Sequence, residues 1–172
     1  MEIKKIKLSE KIIYYGEVKM PEGFELDSSS FVKDIFLSKF YEDYKAPPNI
    51  EEHRLHTYIN EFIYLKFKIN LILLNSYGLF FEKNEKSKSI LEVDRLNLRE
   101  SPDYVMLYGA EIDNKSCTVN IKYDDNRRVN CSWDIPLLKN RFIIFPASQE
   151  YTINNEGNKH LNFVKITKFI YI

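Results

Sequence analysis

Residues 161–172, LNFVKITKFIYI, are apolar on both sides of an extended chain. Val164, Ile166, Ile170 and Ile172 fall on one side, and Phe163, Phe169 and Tyr171 on the other, because successive side chains of a strand point to opposite faces. A strand with one polar side can lie at a surface, whereas this one needs cover on both. It reads as a central strand of a sheet packed between two layers. The rest of the chain has to supply those layers.

Much of the cover reads as further strands. Residues 104–112, YVMLYGAEI, form one, and residues 117–123, CTVNIKY, alternate cleanly with Cys117, Val119, Ile121 and Tyr123 on one face. Asp124-Asp-Asn126 supplies turn residues, residues 129–135 return, and Lys139-Asn140 turns again into residues 141–145. The run NNEGN at 154–158 is a hairpin turn into the last strand. Several short strands at close spacing point to a sandwich or barrel.

The first part of the chain has a different period. Residues 11–19 read as a strand that ends at Pro21-Glu-Gly. Ser28, Ser29 and Ser30 can cap a helix in which Phe31, Ile35, Phe36, Phe40 and Tyr41 share a face, and Pro47-Pro48 stops it. A second helix starts at Asn49, with Glu51 and Glu52 in the first turn where the helix dipole favours acids, and buries Leu55, Ile59, Phe62 and Ile63. From Leu65 to Leu73 the odd positions are apolar, which predicts a half-buried strand. Residues 82–89, EKNEKSKS, read as a surface loop.

At 172 residues one domain is expected, with 1–63 as a strand and two-helix N-terminal part and 64–172 as the β part. With 25 basic and 25 acidic residues the chain offers no electrostatic footprint for nucleic acid. The N-terminus lacks the apolar core of a signal peptide, and the apolar run 62–74 contains Lys66, Lys68 and Asn70, so no bilayer-spanning segment is expected. An intracellular location is the expected default. Cys117 and Cys131 are expected as buried free thiols, with a cross-strand disulfide as the alternative.

The segment 139–153, KNRFIIFPASQEYTI, resembles the C-terminal motif of iron(II)/2-oxoglutarate oxygenases of the prolyl-hydroxylase type. In that motif a strand ending Phe-Pro-Ser is followed by a metal-binding His, and an Arg about ten residues on holds the 2-oxoglutarate carboxylate. The resemblance implies an α+β, mainly β fold: a jelly-roll or double-stranded β-helix with two N-terminal helices. The C-terminal half also resembles proteins of marine tailed bacteriophages, through Ser101-Pro-Asp-Tyr104, Tyr123-Asp-Asp-Asn-Arg-Arg128 and Phe145-Pro146.

Such an iron site needs two neutral imidazoles and one carboxylate on one face of the metal, the first His and the acid in a His-X-Asp or His-X-Glu motif. The chain has three histidines, His53, His56 and His160, and none is followed two places later by an acid. Tyr151 stands at the second His position, and Leu161, beside Lys159 and His160, at the Arg position. Tyr151, Leu161 and His160 are therefore the candidate degenerate-site positions. The reading drawn from them is a non-catalytic jelly-roll protein, a phage virion-associated structural or interaction module, with no cofactor and no metal. The alternative is a divergent iron(II)/2-oxoglutarate-dependent oxygenase with Tyr151 among its ligands. A cupin-like binder of a small sugar or carboxylate, using Tyr and Asn residues inside the barrel, is a third reading.

Other patterns read as structural. His53 and His56, at i and i+3, are expected on a solvated helix face. Asp124, Asp125, Asp134, Glu150 and Glu156 fit turns and strand edges better than a carboxylate pair. Arg127 and Arg128 at a hairpin tip are candidate contacts for protein partners, such as other virion subunits or a second copy of the chain. No phosphate-binding glycine loop is present among only 5 Gly.

Overall fold

The computed structural model describes residues 11–41, 44, 47–113, 116–126, 129–156 and 161–172. Along the chain come β1 (Tyr14–Glu17), α1 (Ser28–Phe40), α2 (Ile50–Phe67), β2 (Leu71–Phe81), β3 (Tyr104–Glu111), β4 (Cys117–Asn126), β5 (Val129–Leu137), β6 (Arg141–Pro146), β7 (Tyr151–Asn155) and β8 (Asn162–Tyr171). The strands form a five-stranded sheet in the order β1-β6-β3-β8-β2 and a three-stranded sheet in the order β5-β4-β7. All strand pairs are antiparallel. This is the mainly β, two-helix architecture that the sequence implies.

β8 lies between β3 and β2, and its two apolar faces serve two cores. Val164 and Ile166 join Val105 and Leu107 of β3 and Val119 and Ile121 of β4 in the space between the sheets. Phe163 and Phe169 join Met106 and Tyr108 on the opposite face of the large sheet. There they pack beneath Phe31 and Ile35 of α1 and Leu55, Ile59 and Ile63 of α2. Each fully buried side chain of this size contributes about 1.5–3 kcal/mol relative to exposure. The two-sided pattern of β8 is thus the reason the large sheet carries helices on one face and the small sheet on the other.

The helices are set by their caps. Asp27 caps α1, its carboxylate accepting from the Ser29 amide at 2.9 Å, one residue before the serines expected in that role. Asn49 caps α2 in the same way through the Glu51 amide at 2.9 Å, as expected. Of the five apolar residues predicted to form the inner face of α1, Phe31 and Ile35 are buried, while Phe36, Phe40 and Tyr41 are exposed. Phe36 and Phe40 instead lean on the ring of Phe80, with centroids 6.2 and 6.1 Å away.

Two other expectations are corrected. The strand predicted from Leu65 begins only at Leu71, because α2 continues through Phe67 and stops where Lys68 turns left-handed at φ 60°. Leu65 and Phe67, which mimicked strand alternation, are exposed on that last turn. Asp124, Asp125 and Asn126 belong to β4 and not to the turn, which leaves the hairpin tip, with Arg127 and Arg128, outside the described residues. The β4–β5 register pairs Cys117 with Leu137 and Tyr123 with Cys131. The two cysteines are therefore separated by six strand positions, roughly 20 Å, too far for a disulfide. Cys117 is a free buried thiol, and desolvation pushes its pKa up to about 12.

Among the described residues no helix is long and apolar enough to cross a membrane.

Candidate functional site

β6 ends at Pro146, and a short turn, in which the Gln149 amide donates to the Pro146 carbonyl at 3.0 Å, leads into Tyr151 at the head of β7. On one side Tyr151 pairs with Ile121 of β4. On the other, its amide and carbonyl bond Ile90, at 2.9 and 2.8 Å, clipping the segment between β2 and β3 onto the edge of β7. Backbone pairing on both sides directs the Tyr151 side chain into the space between the sheets. It is fully buried there and meets the ring of Phe145 edge-on at 5.2 Å.

The clipped segment carries Glu92 into the same space. The Tyr151 hydroxyl donates to Glu92 Oε1 at 2.8 Å, and the Tyr77 hydroxyl of β2 donates to the same oxygen at 2.5 Å. Lys168 of β8 places Nζ 2.7 Å from Glu92 Oε2 and 5.3 Å from the centre of the Tyr77 ring. The side chains of Glu92 and Lys168 are 6% and 20% exposed. Lys168 shares the inward face of β8 with Val164 and Ile166, so it closes one end of an otherwise apolar interior.

Burial, with the charge of Glu92 adding to it, pushes the phenols of Tyr77 and Tyr151 well above their usual range. Both stand as neutral O–H donors to Glu92. A buried ion pair is tolerated only when its remaining hydrogen-bonding capacity is met. Here one ammonium and two hydroxyls converge on one carboxylate. Chemically, the arrangement holds a carboxylate in a low-dielectric setting where such bonds are strong.

Of the candidate positions, Tyr151 alone is brought to this cluster. Leu161 precedes β8 and is 38% exposed. His160, Arg127 and Arg128 lie outside the described residues. The cation comes from Lys168, seven residues beyond Leu161. Glu92, Tyr77 and Lys168 were missed by sequence reasoning, although Glu92 and Lys168 each left a trace. Glu92 follows Ile90 by two places, the same separation as between the His and the acid of a His-X-acid motif. Lys168 is a lysine on the inward face of a strand read as apolar.

The histidines of α2 are elsewhere, on the helix-covered side of the large sheet. His53 is exposed as expected, but His56 is buried, with Nε2 3.2 Å from Thr167 Oγ1 and its ring edge-on to Phe169. Desolvation lowers the His56 pKa to about 4 against the raising effect of Glu52. Nearby, Lys165 pairs with Glu52 at 3.2 Å, and Ser76 also donates to Glu52. Among the described residues the other acids form no carboxylate–carboxylate pair: Asp134 accepts from Asn120, Glu150 from Lys122 and Ser89, and Glu156 from Asn154. The side chains of Asp124 and Asp125 lie outside the description.

The buried asparagines are engaged by backbone groups and, at Asn162, also by Ser116 Oγ at 2.8 Å. Asn155 Nδ2 donates to the Phe81 and Glu82 carbonyls, and Asn162 accepts from the Asp113 amide. Open clefts of about 510 and 460 Å³ flank β1, and neither is lined by Tyr151 or Glu92. Among the described residues no three His, Cys, Asp or Glu side chains are grouped to hold a metal ion. The donors around Tyr151 do not fit an iron(II) ion that takes two imidazoles and a carboxylate.

No protein-family model and no curated protein matches the chain in sequence. In structure it is similar to the non-heme α-ketoglutarate-dependent epimerase SnoN of nogalamycin biosynthesis, with a TM-score of 0.64 at 7% identity, covering 92% of this chain and 77% of that one. It is similar also to AviO1 from Streptomyces viridochromogenes, at a TM-score of 0.61 and 8% identity, over 92% of this chain and 89% of that one. A Pseudomonas putida prolyl-4-hydroxylase matches at 0.56 and 7% identity, over 92% and 84%. At such identities the likeness establishes the fold, that of 2-oxoglutarate oxygenases, in agreement with the resemblance read from residues 139–153. It also corrects the expectation of a non-catalytic, cofactor-free virion module: the epimerase and the hydroxylase are enzymes, and the epimerase depends on α-ketoglutarate and non-heme chemistry.

Proposed function

We propose that the chain is a divergent iron(II)/2-oxoglutarate oxygenase-type protein whose working site is the end of the barrel where β7 begins. The observation that carries this reading is positional. Tyr151, at the place of the metal-binding His in the resembled motif, meets an acid that stands two residues after Ile90. The spacing of the motif is kept, with Ile90 and Tyr151 where the two imidazoles would be. The structural likeness to an α-ketoglutarate-dependent epimerase and a prolyl-4-hydroxylase over 92% of the chain supports an enzymatic ancestry for that site.

The side chains present do not supply two imidazoles, so no step is routed through iron. What they do is hold one carboxylate, by an ammonium and two hydroxyls, at the end of an apolar interior.

The test is succinate release from 2-oxoglutarate by the purified chain, alongside anaerobic iron(II) titration. The double variant Ile90→His/Tyr151→His serves as the comparison. Succinate release from 2-oxoglutarate by the native chain is the result that this reading requires. If the native chain is folded and releases none, the oxygenase reading fails. Should iron binding then appear only in the double variant, the site is correctly placed and its enzymatic use is lost.

A further inference from the structure

The origin of the groups around Glu92 separates them into two classes. The three donors come from three strands of the two sheets: Tyr77 from β2, Lys168 from β8 and Tyr151 from β7. Their positions are set by the strand registers, Tyr77 opposite Ile166, Lys168 opposite Asn75 and Tyr151 opposite Ile121. The acceptor comes from none of the sheet strands. It sits on the segment between β2 and β3, two residues from the isolated bridge Ile90–Tyr151.

We propose that Lys168, Tyr77 and Tyr151 form a preorganised receptor for one small aliphatic carboxylate, which Glu92 occupies as a tethered ligand. Oε1 takes both phenols and Oε2 takes the ammonium, so each oxygen of the carboxylate is addressed by a different element of the barrel. Tyr151 is fully buried, so removing Glu92 takes away the acceptor that its hydroxyl uses. The atoms of Glu92 beyond Cβ are a methylene and a carboxylate, which is the heavy-atom frame of acetate. A Glu92→Ala chain therefore presents a space of acetate's shape, lined by the donors that acetate needs. The inference rests on the placement of the site proposed above and is independent of iron or 2-oxoglutarate chemistry.

Acetate is the probe. Thermal unfolding of Glu92→Ala is followed in sodium acetate and in sodium chloride of equal ionic strength at neutral pH, beside the native chain and Glu92→Gln, which fills the space. The expected result is a lowered midpoint for Glu92→Ala in chloride and a saturable rise with acetate that neither comparator shows. At ten times its dissociation constant, acetate shifts the folding equilibrium about tenfold. Adding Lys168→Met to Glu92→Ala abolishes the rise. If Glu92→Ala does not fold in chloride, refolding yield in acetate against chloride is the readout, with the same expectation. The proposal is overturned if acetate does no more for Glu92→Ala than for Glu92→Gln. Because the readout is stability without iron, its failure leaves the succinate assay untouched, and an absence of succinate leaves the receptor untouched.

Discussion

Replacing Tyr151 with phenylalanine isolates one hydroxyl in this cluster. The ring, its edge-on contact with Phe145 and its buried volume all remain, so no cavity term enters. What is lost is an O–H donated at 2.8 Å to a carboxylate. Hydrogen bonds to charged groups contribute about 1.5–3 kcal/mol, roughly twice the figure for neutral pairs. Unfolding entropy of about 2.1 cal/mol/K per residue over 172 residues gives about 0.36 kcal/mol/K. The expected fall in the unfolding midpoint is then roughly 4–8 °C.

Tyr108→Phe provides an internal scale. Tyr108 is also almost fully buried, but its hydroxyl meets a neutral acceptor, Asn140 Oδ1, at 3.0 Å. Its loss is worth about 0.5–1.5 kcal/mol, or roughly 1–4 °C. Both variants are followed by circular dichroism melts and urea titration. Tyr77→Phe combined with Tyr151→Phe tests whether the hydroxyls act as a unit, since both address Glu92 Oε1, and a coupling above about 0.5 kcal/mol is expected. If Tyr151→Phe costs no more than Tyr108→Phe, the carboxylate is not the acceptor that holds this end of the barrel, and the reasoning fails.

Two further predictions concern the helix-covered face. A Cβ at Gly78 would lie 2.1 Å from Ile35 Cγ1 of α1, so Gly78→Ala is expected to cost about 1–3 kcal/mol in chemical denaturation, with much of the loss recovered by adding Ile35→Ala. His56 stays neutral in the fold down to about pH 4, facing Glu52 and His53 on its own helix and Lys165 and Thr167 on β8, while the unfolded imidazole protonates from its ordinary value of 6.5. The unfolded state thus binds more protons between these limits, and stability falls by up to about 3 kcal/mol as pH drops through that window; His56→Gln should flatten this part of the pH–stability curve.

The fold was legible wherever a strand's two faces differ in what they touch. The alternation in β4, the doubly apolar β8 and the asparagine cap of α2 are local patterns, and local patterns are what a sequence displays. The misreadings arose where an apolar residue is exposed. Leu65 and Phe67 alternate with lysines because they decorate the last turn of α2, and Phe36 and Phe40 lie over Phe80 at the rim of the helix layer. The candidate site was legible only at Tyr151. Its acid is 59 residues away in sequence and its cation is a single lysine of β8. A search keyed to histidines passes over Glu92, because no histidine stands near it in sequence.

The lysines of β8 give that central strand a further meaning. Lys165 faces the helices and pairs with Glu52 of α2, whereas Lys168 faces the other sheet and pairs with Glu92 of the β2–β3 segment. A strand buried on both sides thus carries one cation per face, each neutralised by an acid from the layer that covers it. Desolvation offsets much of the attraction in such pairs, so their net contribution to stability is small. Breaking one is costly, because the partner is left charged and buried. Misplaced cover on either face would incur that cost, so the pairs favour one placement for α2 and one for the segment that bears Glu92. In this respect the carboxylate at the end of the barrel is both an occupant of the site and a fastening of the loop that delivers it.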